Sequence, residues 1–399
     1  MQIIRIPIQS MVLITASAMW DGINTRELVR QPALFIVDGR IKKICTGFEG
    51  SQIKQYPKFR HINFPHLTLL PGLVDAHVHL ALDGTPAGKE KWHNPSGLAE
   101  MVDQNLHQSI SSGILAVRDA GDRLGTGLLV KQKKIEVRPD IPQIVTTGPA
   151  IRRLNGYGQF LGEGIGEALE ASEAITELKM AGADQVKLLA SGIVSMRCFG
   201  KVGGQQFTRE EIHLLAQMAK ANGLPLMVHA NSEPTISHVI SANVKSIEHG
   251  YFVNVSSLKQ MAETGTAWVP TVYPVAAMAS TPEVDPNIVE KTYQRHLKMI
   301  SIAQKIGVKL AIGTDAGSPG VYHGKSYIEE LKLWAKAGIP TPAILKAATT
   351  TGAMVLGLDK SIGTIQVGKR PSLIGVQGNP LETIENLADI KAVLLPQDV

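Results

Sequence analysis

The chain has 399 residues, 44% hydrophobic and 19% charged, an ordinary globular composition with ample length to bury a core. Its net charge of +5 comes without a Lys/Arg block (the densest run, "KQKK" at 131–134, reads as a solvated helix face), which argues against nucleic acid as a partner, and no apolar stretch reaches the ~18–20 residues of a membrane-spanning helix. Cys45 and Cys198 are the only cysteines, so a disulfide framework is excluded and a reducing, cytoplasmic location is expected.

In chain order, the first ~65 residues read as β. "MVLITASA" at 11–18 looks like a short signal h-region ending in Ala16-Ser17-Ala18. Pro7, Gln9 and Ser10 interrupt the run before it and only Arg5 precedes it, so a strand is expected instead. Apolar runs at 11–16 and 33–37 are separated by Gly/Asp turns, and Asp38-Gly39 predicts a hairpin continued by 40–44. The pattern then changes to alternation. Short apolar runs ("LLPGLVDAHVHL", "ILAVRD", "PQIVTT", "DQVKLLA", "PLMVHA", "VKSIEH", "TAWVPT", "KLAIGTD") are separated by helical patterns at 96–112, 167–181, 208–222 and 288–306. In "TREEIHLLAQMAKANG", Thr208 can cap the helix, Glu211 completes a capping box and Gly223 stops it. The last ~40 residues return to short strands and turns, "SIGTIQVGKRPSLIGVQGNP" and "IKAVLL". The expected fold is α/β: a (β/α)8 TIM barrel over 67–355, with a small β-sandwich domain composed of both termini, 1–66 plus 356–399. A doubly wound open sheet is the runner-up, although no G-x-G-x-x-G or P-loop follows a strand.

Polar residues inside the apolar strands point to the chemistry. "GLVDAHVHL" at 72–80 buries His77 and His79 in a core strand, which is costly without partners. Residues two apart on a strand share a face, so both can enter a barrel mouth and ligate one cation. His229 in "MVHAN", His249 in "SIEHG" and Asp315 in "AIGTDAG" also fall at strand C-termini, where barrel active sites form. Imidazoles and a carboxylate suit Zn²⁺ or another divalent transition ion. Lys187, in the fourth strand, is the odd member. A buried lysine loses its proton readily, and the neutral amine can add CO₂ to give an anionic, metal-bridging carbamate.

The motifs "PGLVDAHVHL", "AVRDAG", "ADQVKLLASG", "VHA", "SIEHG", "GTDAG" and the terminal "IGTIQVGKRPSLIGVQGNPLETI" resemble the amidohydrolase superfamily, and within it the imidazolonepropionase-like, Xaa-Pro dipeptidase (prolidase)-like branch. The resemblance runs from about Val12 to Leu387. It implies the barrel, the flanking β-sandwich, a carboxylated Lys187 and two divalent ions, with zinc the first choice. One ion is implied on His77, His79, Lys187 and Asp315, the other on Lys187, His229 and His249. Three positions depart from the branch pattern: Ile193 where "SGG" is usual, Asn231 after "VHA", and "PSLIG" near the end.

The expected activity is hydrolysis of an amide or peptide bond in a small-molecule substrate, a dipeptide or N-acyl amino acid, by a metal-bridging hydroxide with Asp315 as general base. Alternatives keep the site and change the leaving group: a cyclic amide, an aryl amide, a lactone or a phosphoester. A non-catalytic scaffold is disfavoured because all six ligand positions are filled. His323, Tyr273, Arg197 and Asn231 are candidates to touch substrate. Arg118-Asp119 is expected to form an ion pair within the barrel mouth, with binding of a substrate carboxylate the alternative, and Asp75 to support the ligands from deeper in the barrel. The remaining histidines, His296 among them, read as ordinary, and a homo-oligomer is compatible with the sequence.

Overall fold

The computed structural model describes residues 1–24, 27–138, 140–280 and 284–397. Positions 25 and 26 of the turn after Trp20, and 398 and 399 of the expected composite domain, lie outside the described residues.

Both chain ends enter one eight-stranded sheet. The first strand, Gln2–Pro7, pairs in parallel with the last, Ile390–Gln397. The sheet continues through Leu373–Gln377, Arg60–Pro71, Met11–Met19, Ala33–Val37 and Arg40–Cys45, with Val29–Arg30 beside Met11–Met19. It folds over on itself: Ile4 and Ile6 near one edge share a core with Ile36 and Ile41 near the other. That is the sandwich expected from the termini. Met11–Met19 is covered on both faces, because Leu13 and Phe35 pack on the opposite side under Phe48, Tyr56 and Phe59. Double coverage explains the nearly continuous apolar run that imitates a signal h-region. Asp38 and Gly39 both have positive φ, 52° and 65°, the primed turn that suits a two-residue hairpin. "SIGTIQVG" differs from expectation. It runs as turns, tied by Ile365 N–H to Asp21 O and by Ile41 N–H to Lys369 O, with Gly363 and Gly368 at φ 85° and 91°.

The terminal-sheet strand runs on to Pro71, and after Gly72 the chain enters the barrel. Seven barrel strands are regular. Leu73–Val78, Ile114–Asp119 and Gln143–Thr146 form one parallel arc; Val186–Leu189, Leu226–Ala230, Ser246–His249 and Ala267–Val269 form a second. The eighth, 309–316, is not a regular strand and makes only isolated bridges. It still closes the barrel: Trp268 N–H donates to Lys309 O on one side, and Ala76 N–H to Ile312 O and Asp315 N–H to His77 O on the other. At the second seam, Asp184 N–H donates to Thr146 O and Ile151 N–H to Lys187 O.

The helices fall where the patterns put them. Pro95–Ser111 is capped by Asn94, Arg209–Ala221 carries the Thr208/Glu211 capping box, and Pro286–Ile306 starts on an Asp285 cap. The stretch at 167–181 divides into a short 3-10 turn, Ala168–Glu170, and the helix Ala171–Met180. Among the described residues no helix is long and apolar enough to cross a membrane.

Candidate metal centre

The first barrel strand carries His77, His79 follows directly after its last residue, Val78, and the eighth segment brings Asp315 to both. His77 Nε2 and His79 Nε2 lie 3.4 and 3.2 Å from Asp315 Oδ1. These three offer ligand atoms within 4.8 Å of one another. The ring of His249 lies 4.9 Å from that of His77, and His229 lies 4.7 Å from His249. Lys187 is buried, its charge acts on His77, His229 and His249, and it forms no ion pair among the described residues.

Each histidine is held through one nitrogen. His77 Nδ1 is 2.8 Å from Glu248 Oε2, His79 Nδ1 donates to Gly121 O, His249 Nδ1 meets Thr271 Oγ1 and His229 Nε2 donates to Gly192 O. The other nitrogen of His77, His229 and His249 is thereby left for a ligand, while His79 Nε2 rests on Asp315 Oδ1. His77 Nε2 is a buried nitrogen without a hydrogen-bond partner, an arrangement a cation satisfies. Burial, together with the Lys187 charge, pushes His77 well below the usual histidine range, and it brings His229 to about 4. Burial and the neighbouring imidazoles lower His249 in the same way. These rings are neutral and their lone pairs free. For His79, burial pulls the value down but the hydrogen bond to Asp315 outweighs it. Burial lowers Lys187 to about 8, against the upward pull of Glu248 and Asp315.

Local backbone strain places part of the set. His249, Thr271 and Asp315 are non-glycine residues at φ 64°, 49° and 58°, at the C-terminal ends of the sixth, seventh and eighth strands. Such conformations cost about 1–3 kcal/mol each and persist where the surroundings over-determine them. Asp75 helps to do so, accepting from Thr314 N–H at 3.0 Å and Thr314 Oγ1–H at 2.6 Å, one residue before Asp315. It also accepts from His77 N–H, and burial raises its carboxyl to about 7.

The expected Arg118–Asp119 pair does not form. Neighbouring strand residues point to opposite faces. Arg118 points inward, donating to Ala76 O, Gln185 Oε1, Ser246 Oγ and both oxygens of Glu248, while Asp119 accepts from Leu80 N–H and Thr146 Oγ1–H. Glu248, overlooked in the sequence, is thus the hub between a fully buried guanidinium and a candidate ligand. Its charge inside "SIEH" poses the burial problem that His77 poses, and is the signal that finds it. Removing one partner of a buried ion pair costs about 3–5 kcal/mol. Glu248→Ala is expected to lose about that much in urea unfolding; an unchanged midpoint would show that Arg118 finds other compensation.

The substrate candidates scatter. Asn231 is buried, its Nδ2 3.1 Å from His229 Nε2. His323 is buried next to His79 and donates through Nε2 to Leu82 O. Tyr273 opens a short helix and gives its N–H to Glu330 Oε2. Arg197 is exposed in the excursion after the fourth strand. The tyrosines that do meet the histidines are Tyr157, 5.5 Å from His229, and Tyr251, stacked on His249 at 6.0 Å. Behind Tyr251 stands His296, fully buried, with its ring 4.7 Å away and Nε2 on Pro270 O. Tyr157 lies in an irregular loop, so no periodic signal marks it.

A model of the amidohydrolase family matches residues 68–396. The chain is 25% identical over 410 aligned residues to a protein of Aspergillus niger named ochratoxinase, covering 92% of this chain and 82% of that one. An imidazolonepropionase of Yersinia enterocolitica is 22% identical over 375 residues, 86% of this chain and 85% of that protein. Among solved structures, a Xaa-Pro dipeptidase with methionine bound in its active site superposes with a TM-score of 0.81 at 27% identity, over 96% of this chain and 98% of that one.

Proposed function

Because the chain belongs to the amidohydrolase family and is a hydrolytic enzyme, we propose that it is metal-dependent and cleaves the amide or peptide bond of a dipeptide or N-acyl amino acid. The observation that carries the reading is the buried His77 Nε2, which has no hydrogen-bond partner and faces Asp315 beside three further histidines. The similarity to a Xaa-Pro dipeptidase with an amino acid in its active site supports the substrate class.

His77, His79 and Asp315 would hold one divalent ion, zinc by ligand type, and His229 and His249 a second, with Lys187 as a carbamate between them. Such ions, when bound, acidify a water and polarise the amide carbonyl. The chain's own groups do the rest. Glu248, Gly121, Thr271 and Gly192 fix the four rings. Asp315 takes the proton of the attacking water and returns it to the leaving nitrogen. Tyr157 and Tyr251 wall the histidines. A second reading, a single ion with Lys187 remaining an amine, draws on how tightly His77, His79 and Asp315 group by themselves. A cytoplasmic setting is supported by the two free cysteines.

Expression in metal-supplemented medium is expected to give about two equivalents of metal per chain by elemental analysis, with activity abolished by chelation and restored by added metal. Fewer than about half an equivalent would contradict metal dependence. A library of dipeptides, N-acyl amino acids, cyclic and aryl amides, lactones and phosphoesters identifies the leaving group, and turnover confined to phosphoesters would overturn the substrate class.

A further inference from the structure

A recess of about 510 Å³ opens beside the histidines, between the loop after the third strand and the excursion after the fourth. Tyr157 and Gly192 line it, and these two residues also touch His229, one through its ring and one through its carbonyl. Its lip carries two apolar side chains on different segments, Leu154 and Ile193, 53% and 51% exposed. Ile193 is not there by looseness of the chain. Ser191 bridges to Gln205 and Val194 to Val202, Gly203 N–H donates to Ile193 O, and Gly192 and Gly203 approach so closely that a Cβ on Gly192 would lie 2.7 Å from Gly203 Cα. The ladder holds the Ile193 side chain over the opening.

The glutamines and the arginine of the recess are already committed, and its other side-chain polar groups, on Asn155 and Tyr157, are uncharged. Gln206 accepts from Arg153 N–H and donates to Tyr157 O and Ser191 O. Gln205 donates to Phe207 O and accepts from Thr235 Oγ1–H. Arg153, the one cation of the lining, is ion-paired with Glu211, bonded to Gln206 O and Gly166 O, and laid over the Phe207 ring at 4.6 Å. A charged group entering here would lose its water and gain no counter-ion, whereas an apolar group would cover the exposed halves of Leu154 and Ile193.

We propose that this recess receives an uncharged apolar arm, an aromatic or branched aliphatic side chain next to the scissile amide, with Ile193 and Leu154 setting the preference. The inference rests on the amide-hydrolase reading for what brings such a molecule to the site, so its test reads binding and not turnover. Titration calorimetry on the metal-supplemented protein with N-acetyl-phenylalanine amide, N-acetyl-glutamate amide and N-acetyl-glycine amide is expected to rank the phenylalanine probe about tenfold or more above the other two. Ile193→Asp and, independently, Leu154→Asp are each expected to remove most of that margin while leaving the glycine probe unchanged. Equal affinities for the three probes, or a margin that survives both substitutions, would overturn the proposal. A protein that shows the ranking but hydrolyses no amide would contradict the activity and leave the recess assignment standing.

Discussion

Asp315→Asn is expected to lower kcat by about a thousandfold while the protein stays folded and keeps part of its metal. Positioned acid–base groups contribute about 10²–10⁴-fold, and an amide can neither take the water's proton nor deliver one to the leaving nitrogen. The substitution preserves volume, and Ser318 Oγ, now 2.8 Å from Oδ2, can keep its contact. Asp315 is well placed as a base. Burial pushes its carboxyl up, but the hydrogen bond from His79, the His79 charge and the hydrogen bond from Ser318 outweigh burial and hold it below the usual carboxylate range. Bound cations act in the same direction. Asp315 is therefore ionised throughout the neutral range, and any acid limb in kcat/KM comes from another group. The check is single-substrate kinetics paired with elemental analysis of the same preparation. Full activity with bound metal would remove Asp315 from the proton-transfer role; complete loss of metal would make it chiefly a ligand.

The barrel, the sandwich and most of the cluster could be read from the sequence because they rest on two periodicities. The two-residue spacing brings His77 and His79 together at the end of the first strand, and strand-to-helix alternation puts His229 and Lys187 on adjacent strands of one arc. Where the backbone leaves those periodicities, the reading fails or succeeds by motif alone. Ser246 and Glu248 face inward together to reach Arg118, so a regular strand would send His249 outward; its φ of 64° turns it back to the cluster. That bend is invisible in "SIEHG" as a pattern, which is why the strand-end position found His249 and the alternation did not find Glu248. The same rule, applied to Arg118 and Asp119, rules out the pair that adjacency suggested. Tyr157, Ile193 and Leu154 lie on irregular segments, and only the folded chain brings them together.

Lys187→Met separates the two-ion reading from its rival. Methionine fills the same space in a buried strand without an amine, so the fold is expected to survive. In the two-ion reading the ammonium first gives up a proton, the neutral amine nitrogen attacks CO₂, an N–C bond forms as one C=O π pair moves onto oxygen, a second proton leaves to solvent, and a cationic side chain becomes an anionic ligand. Burial assists the first step by lowering the lysine to about 8, which leaves a neutral fraction at physiological pH. The product is a buried anion, costly alone and favourable between two cations, so CO₂ and metal should bind cooperatively. Three results are expected together. Lys187→Met loses about one equivalent of metal and roughly a hundredfold or more in kcat. The parent chain, reconstituted in CO₂-depleted buffer, regains activity only when bicarbonate is added. The variant does not respond to bicarbonate. If Lys187→Met instead keeps its full metal complement and most of its activity, then His77, His79 and Asp315 suffice for a single ion, and the lysine acts only as a buried charge that keeps its histidine neighbours neutral.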